Sequence, residues 1–176
     1  MCIRDRAHGC NERCTYCVVP NTRGVEQSRT PEDILSEIDS LGRSGYREVT
    51  LLGQNVDAYG RDMRPRRTFA DLLGAVADVA RQYNNMRVRF VTSHPRYITD
   101  SVIDTVASNG DVLMPVFHMP AQSGDDEVLR LMGRGYDAAR YMRVVSSIRE
   151  RLPDATVSGD FIVGCPGESD AAFEKL

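Results

Sequence analysis

The sequence predicts an α/β fold in which parallel strands alternate with helices, and three observations support this prediction. Apolar runs of strand length, such as 48–52, alternate with stretches in which apolar residues recur at helical spacing. The connections between successive strands are long enough to hold a helix, which requires parallel strands and right-handed crossovers. Polar residues collect directly after the strands, at the edge where ligands bind in such folds. We therefore predict a partial, open TIM-like (β/α) barrel that is truncated before its last strand.

The first long helix carries start and stop signals. Thr30 is a predicted N-cap, Pro31 occupies the first helical position, and Asp33 is an acid in the first turn. Gly42 and Gly45 are expected to end this helix. Its inner face consists of four apolar residues at helical spacing: Ile34, Leu35, Ile38 and Leu41.

The remaining elements follow from the same patterns. The segment 18–24 is predicted to be extended chain or loop. Strands are predicted at 48–52, 87–92, 112–117 and 156–163. Helices are predicted around 69–79 and 102–106, from the N-cap Asp137 to Leu152, and from the N-cap Ser169 onward.

The densest chemical signal is the cysteine loop at 8–17, HGCNERCTYC, in which Cys10, Cys14 and Cys17 have the spacing Cys-x3-Cys-x2-Cys. Three thiolates this close in sequence can converge on one metal centre. A tetrahedral zinc site needs a fourth ligand, for which His8 is the alternative. Disulfides are disfavoured, because neighbouring cysteines pair with awkward geometry. Three cysteines suit a four-iron cluster better, because one iron then stays open to bind a substrate. The aromatic Tyr16 could lie against a cofactor ring.

Composition places limits on the class of protein. With 176 residues, 41% of them hydrophobic, the chain is long enough for roughly one domain. The 22 basic and 25 acidic residues give no global signature of nucleic-acid binding. No apolar run approaches the ~20 residues that cross a membrane. An odd count of five cysteines, three of them clustered, favours the reducing cytosol and hence a cytoplasmic location.

The two ends do not resemble those of a complete domain. The segment 1–6, MCIRDR, has no apolar run, although a strand should lead into the cysteine loop. We interpret it as a leader that is not native, and we give Cys2 no functional weight. The sequence stops at Leu176, just after a helix begins. We therefore expect residues 7–176 to be an incomplete core domain from a longer protein.

Candidate ligand-binding residues follow the strands. Gly53, Gln54 and Asn55 end the strand 48–52, and Ser93 with His94 ends the next one. Each group could instead be a turn or a structural hydrogen-bonding residue. Gln122 and Ser123 offer polar groups to a ribose or a base, and Ile162 lies in an apolar run (161–164) whose backbone could pair with adenine or simply form a core strand.

Two further features remain open. Four arginines between the second strand and its helix could attract a phosphate backbone or form a solvated loop: Arg61, Arg64, Arg66 and Arg67. Cys165 is better explained as a buried apolar thiol than as a ligand.

The cysteine spacing resembles that of the radical S-adenosylmethionine (SAM) superfamily. This resemblance implies that Cys10, Cys14 and Cys17 hold a [4Fe-4S] cluster whose open iron chelates SAM. It also implies that the region of Gly53, Gln54 and Asn55 binds the methionine amino group of SAM.

Longer segments are similar to the central domain of the methylthiotransferase family, and most similar to its MiaB-type branch. They are GCNERCTYCVVPNTRG, EVTLLGQNVDAYG, RVRFVTSHP, HMPAQSGDDEVLRLMGRGY and SGDFIVGCPGES. The resemblance implies 2-methylthiolation of N6-isopentenyladenosine at position 37 of tRNA, with hydrogen abstraction from carbon 2 of the adenine. RimO-type modification of a ribosomal-protein aspartate and MtaB-type modification of threonylcarbamoyladenosine are the alternatives within the family. A non-catalytic zinc-stabilised binding module is the alternative of another class.

The resemblance also implies partners and missing parts. The expected partners are the anticodon loop of tRNA, SAM, and an electron donor such as flavodoxin. Members of the family carry an N-terminal domain with a second [4Fe-4S] cluster and a C-terminal TRAM domain that grips tRNA. Neither is recognisable in this sequence. We therefore expect the chain to bind one cluster and cleave SAM without completing methylthiolation.

Overall fold

A computed structural model of the chain describes residues 2–176, and side chains are described from Asp5 onward. The expectation for Met1 lies outside the described residues. The strands are β1 (Cys2–Asp5), β2 (Ala7–His8), β3 (Gln27–Ser28), β4 (Glu48–Leu52), β5 (Arg87–Val91), β6 (Val116–His118) and β7 (Thr156–Ser158). The helices are α1 (Val19–Arg23), α2 (Pro31–Arg43), α3 (Phe69–Ala80), α4 (Asp100–Ser108), α5 (Asp126–Leu131), α6 (Ala138–Arg151) and α7 (Asp170–Phe173).

The parallel strands form an open, curved layer. β1, β4 and β5 pair in parallel in that order, and β6 pairs in parallel with β7. A parallel bridge between Val88 and Leu113 links the two groups. Within residues 2–176 no strand pairing closes the layer into a barrel. The predicted open TIM-like (β/α) architecture is confirmed.

Helices α2, α3, α4 and α6 cover the outer face of this layer. The predicted cap of α2 forms, since the Thr30 hydroxyl accepts the Asp33 N–H. A reciprocal capping box of Thr68 and Asp71, which was not predicted, starts α3. Between the helices and strands the core is apolar, and Phe90 packs edge-on against Phe69 and Phe117 with 5.5 Å between ring centroids. This packing fixes the strand ends at one edge, where the candidate ligand-binding residues lie.

Several expectations for local structure were wrong. Residues 19–23 form the short helix α1 rather than extended chain, because Pro20 lies in the first turn, where its missing N–H costs nothing. Gly42 lies inside α2, packed against the Tyr83 ring. Gly45, with its φ of +80°, ends the helix as expected, because its N–H donates back to the Gly42 carbonyl (3.0 Å) just after Arg43. The predicted strands 112–117 and 156–163 shorten to β6 and β7.

The N-terminal segment is ordered into the fold. β1 pairs with β4 along its whole length, and Arg6 is only 1% exposed. β2 and β3 form an antiparallel pair that the sequence pattern does not indicate. In the described part of the chain, no helix has the length and apolarity needed to cross a membrane.

Candidate SAM and cluster site

One cavity of about 190 Å³ at the carboxyl ends of the strands gathers most of the predicted site residues. The three clustered cysteines lie on one side of it, and the residues that follow β4 and β5 lie on the other. Among the residues that line it are Cys10, Cys14, Tyr16, Cys17, Gln54, Asn55, Ser93, His94 and Gln122. The cavity therefore brings thiols and polar groups together at the edge that the fold class predicts for ligands.

The cysteine loop is shaped by its own backbone. The Cys10 N–H donates to the Gly24 carbonyl (3.2 Å), and the Cys17 N–H donates to the Cys14 carbonyl (3.0 Å). Gly9 has a φ of +69°, and a Cβ there would lie 2.1 Å from the Val25 carbonyl oxygen, so only glycine fits this entry to the loop. All three thiols are free and partly buried, and burial raises the pKa of the Cys10 thiol.

The turn that follows α5 is hydrogen-bonded to the cysteine loop. The Thr15 N–H donates to the Met132 carbonyl (3.0 Å), and its hydroxyl donates to the Leu131 carbonyl (3.1 Å). Gly133, with a φ of +71°, lies so close that a Cβ would be 2.8 Å from the Arg13 carbonyl oxygen. This clamp at the end of α5 fixes the loop that carries the cysteines.

Arg134 is a site residue that the sequence argument missed. Its side chain is buried, with 6% of the residue exposed, and Nη1 lies 3.2 Å from Cys14 Sγ and 3.3 Å from Tyr16 Oη. Nε donates to the Tyr136 hydroxyl (3.2 Å). The guanidinium therefore places a positive charge and a hydrogen-bond donor directly beside the cysteine loop. Only the unusual Met-Gly-Arg turn in the sequence could have suggested it.

Two buried polar side chains face the cavity with atoms that have no partner among the described residues. Asn55 is 6% exposed, and neither its Oδ1 nor its Nδ2 is hydrogen-bonded. His94 is also 6% exposed; its Nδ1 accepts the Arg96 N–H (3.2 Å), and its Nε2 is unpartnered. Because buried polar groups are normally satisfied, these atoms indicate room for a polar ligand.

The electrostatic state of His94 is set by its surroundings. Burial lowers its pKa to about 3, and the nearby cations Arg134 and Arg96 act in the same direction. The imidazole is therefore neutral, and with Nδ1 accepting a hydrogen bond the proton lies on Nε2. His94 can donate one hydrogen bond into the cavity without adding charge.

Asp57 orients the residues that follow β5 from beneath. It accepts the His94 N–H at Oδ2 (2.9 Å) and the Ser93 hydroxyl at Oδ1 (3.3 Å), and it is 7% exposed. Burial raises its pKa to about 7, against the opposing effects of these hydrogen bonds and of Arg6. A buried carboxyl that holds two cavity residues is a positioning group, and the sequence argument did not identify it.

The structure places three predicted cofactor-binding residues outside the cavity lining. Gly53 lies against Arg6, where a Cβ would be 2.2 Å from Nη2, so packing explains the glycine. Ser123 accepts the Asp125 N–H (3.1 Å) at the start of α5. The Ile162 N–H donates to the Gln122 carbonyl (2.9 Å), and its side chain packs beside Cys165. Their roles in binding stay predictions.

The donor set fits an iron–sulfur cluster. A [4Fe-4S] cluster puts each protein thiolate on a different iron, so the sulfurs surround the cluster rather than meet at one point. Three free thiols around one cavity match this demand. His8, the alternative zinc ligand, lies on β2 and lines a different cavity. Among residues 5–176, whose side chains are described, no three His, Cys, Asp or Glu side chains are grouped as a single metal ion requires.

Comparison with known proteins agrees with this geometry. The chain matches the family model of the Radical SAM superfamily over residues 6–176, and it therefore belongs to that superfamily. Its cofactors are accordingly a [4Fe-4S] cluster and SAM.

Solved structures show the same fold at low sequence identity. The radical SAM methyltransferase TsrM from Kitasatospora setae, with cobalamin and a [4Fe-4S] cluster bound, has a TM-score of 0.77 and 18% identity, over 98% of this chain and 32% of its own. The cobalamin-dependent radical enzyme OxsB, with aqua-cobalamin and SAM bound, has a TM-score of 0.71 and 12% identity, over 91% and 23%. Methylornithine synthase (PylB) has a TM-score of 0.63 and 13% identity, over 98% and 47%. The chain thus spans about a quarter to a half of these proteins.

Proposed function

We propose that the chain is the radical SAM core of a MiaB-type tRNA methylthiotransferase, which acts on N6-isopentenyladenosine beside the anticodon. The observation that supports its SAM chemistry is the single cavity shared by Cys10, Cys14, Cys17 and the polar residues after β4 and β5. The methylthiotransferase assignment rests on the sequence segments that resemble that family. The cluster, when bound, supplies the electron that splits SAM into methionine and a 5′-deoxyadenosyl radical.

The residues of the chain have distinct roles in this proposal. Cys10, Cys14 and Cys17 hold the cluster. Asn55 and His94 supply the hydrogen-bonding atoms that lack partners in the cavity wall, the first as donor and acceptor and the second as a neutral donor. We assign these atoms to the polar groups of SAM.

Buried and apolar residues fix part of the cavity wall. Ser93 and His94 are buried, and the Asp57 carboxyl fixes their backbone and side chain. Pro120 and Tyr16 add apolar and aromatic surface to the lining.

Metal content and electron paramagnetic resonance test the cluster. The chain is reconstituted anaerobically with iron and sulfide, reduced with dithionite, and measured with and without SAM. We expect a four-iron signal that shifts with SAM, is lost in Cys14→Ala, and persists in Cys165→Ala. Cys165 is the matched control, because it is also a free, partly buried thiol but packs outside the cavity. Tight binding of one zinc with no iron signal would support the binding-module alternative instead.

Isotope transfer tests the substrate without requiring sulfur insertion. RNA hairpins carrying N6-isopentenyladenosine with deuterium at carbon 2 are incubated with the reconstituted chain, SAM and reductant. We expect deuterium in the 5′-deoxyadenosine, detected by mass spectrometry. A hairpin with deuterated threonylcarbamoyladenosine and a peptide with a deuterated aspartate represent the MtaB-type and RimO-type alternatives. Transfer from either of these, and none from the isopentenyl substrate, would contradict the proposal.

A further inference from the structure

Five exposed arginines lie in two segments that follow strands β4 and β5. Four lie between β4 and α3, and one follows β5; we call them the arginine patch: Arg61, Arg64, Arg66, Arg67 and Arg96. All five are exposed. The chain as a whole carries a net charge of −3, so this concentration of positive charge departs from the rest of the molecule.

The patch is poorly neutralised by the protein itself. Among the described side chains, ion pairs within 4.0 Å involve only Arg96 of the five, at 3.8 Å from Glu12 Oε2. The Arg61 guanidinium lies 4.4 Å from the centre of the Tyr97 ring, and Arg64 donates to the Met63 carbonyl (2.9 Å). Exposed guanidinium groups without carboxylate partners are available for an anionic ligand.

The patch surrounds a groove of about 170 Å³. Arg61, Arg66, Arg67 and Arg96 line it, together with Tyr97 and with the first residues of α3 and α4. The carboxyl in this lining is Asp57, which is buried.

A further cavity lies between this groove and the cofactor cavity. A second, larger cavity of about 450 Å³ shares Arg61, Arg96 and Tyr97 with the groove, and it shares Glu12 with the cofactor cavity. The carboxylates Glu12, Glu26 and Asp62 also line this middle cavity. They disfavour a phosphate there but accept hydrogen bonds from ribose hydroxyls and amino groups. The order from the cysteines outward is therefore cofactor cavity, mixed-charge cavity, basic groove.

We propose that the arginine patch binds backbone phosphates of a single-stranded RNA loop whose target nucleoside reaches the cofactor cavity. The inference rests on the proposed function, because it takes RNA as the substrate. Guanidinium groups match phosphate geometry with paired donors, and a guanidinium stacked on an aromatic ring, as Arg61 is on Tyr97, offers a surface for a base. The core domain would then contribute an RNA-binding surface of its own, separate from the cavity that binds the cofactors.

Equilibrium binding at several salt concentrations tests the proposal. The probe is a fluorescent RNA hairpin with an adenosine in its loop, and the protein is the whole chain without cofactors. The test variant is Arg61→Gln/Arg66→Gln/Arg67→Gln. The matched control is Arg47→Gln/Arg87→Gln/Arg149→Gln, which also removes three exposed arginines; Arg47 and Arg87 lie at the opposite, amino edge of the strands. Thermal unfolding shows whether each variant is folded.

The expected result is a loss of affinity of about tenfold or more in the patch variant alone. Each lost phosphate contact lowers the slope of log affinity against log salt by about 0.7, so three lost contacts lower it by about 2. Equal RNA affinity of the two variants would refute the role of the arginine patch in binding, without contradicting the proposal that the substrate is RNA. No RNA binding by the unsubstituted chain would overturn the inference, while the iron signal and SAM response would still report on the proposed chemistry. Equal affinity for an acidic peptide would overturn RNA as the partner.

Discussion

Replacement of Asp57 by Asn should remove a large pH dependence of stability. Burial raises the pKa of this carboxyl from its ordinary 3.8 to about 7 in the folded chain. The folded state therefore holds a proton that the unfolded state releases between these values, so the free energy of unfolding falls as the pH rises through this window. Between about pH 5 and pH 8 the two pKa values give a loss of about 2–3 kcal/mol.

The pH dependence due to Asp57 is measured as the difference in free energy of unfolding between the unsubstituted chain and Asp57→Asn. Urea unfolding of the unsubstituted chain and of Asp57→Asn at about pH 5 and pH 8 cancels the contributions of other groups, including His94. Asn keeps an acceptor for the His94 N–H and has no charge to bury. We expect the Asn variant to gain about 2–3 kcal/mol in free energy of unfolding relative to the unsubstituted chain over this range, or roughly 5–10 °C in the difference of melting temperatures. A constant difference at both pH values would refute the assignment of a raised pKa to Asp57.

Three further predictions concern packing and contacts. Phe90→Ala should lower the free energy of unfolding, measured in urea, by about 3–5 kcal/mol, because the Phe90 ring fills the core between two other phenylalanines. A loss below about 1 kcal/mol would show that the core collapses around the gap. Thr68→Ala removes the capping box of α3 and should cost about 1 kcal/mol, measured the same way, whereas no loss would mean that the cap does not stabilise the helix. Arg134→Gln removes the hydrogen-bond donor to Cys14 and should cost about 1.5–3 kcal/mol in thermal unfolding, against less than about 0.5 kcal/mol for the exposed Arg130→Gln; equal effects would mean that the Cys14 contact contributes nothing.

The sequence was most informative where the signals are local. The caps at Thr30, Asp137 and Ser169 each predict a helix start that the structure contains, because a cap and its helix lie within a few residues. The alternation of strands and helices predicts the open parallel layer, because each connection between successive strands is long enough to hold a helix. The cysteine spacing also places three thiols together, because the intervening chain is short.

The contacts that complete the site could not be predicted because they join distant segments. Arg134 donates a hydrogen bond to Cys14 although the two residues are 120 positions apart in the sequence. No local pattern around either residue indicates this contact. In the sequence, Asp57 resembles an ordinary turn residue. Only the fold shows that its carboxyl accepts hydrogen bonds from Ser93 and His94. The strand ends were also overestimated, since β7 stops at Ser158 although the apolar run 161–163 continues the pattern.

The clamp at the end of α5 has a consequence for the order of assembly. Thr15 is separated from Leu131 by 116 positions, so during synthesis the cysteine loop emerges long before the turn that holds it. Until α5 has folded, the three thiols are carried on a segment without its hydrogen bonds to 131–132. We therefore expect stable cluster loading to be a late event in biogenesis, completed only after most of this chain has been synthesised and folded.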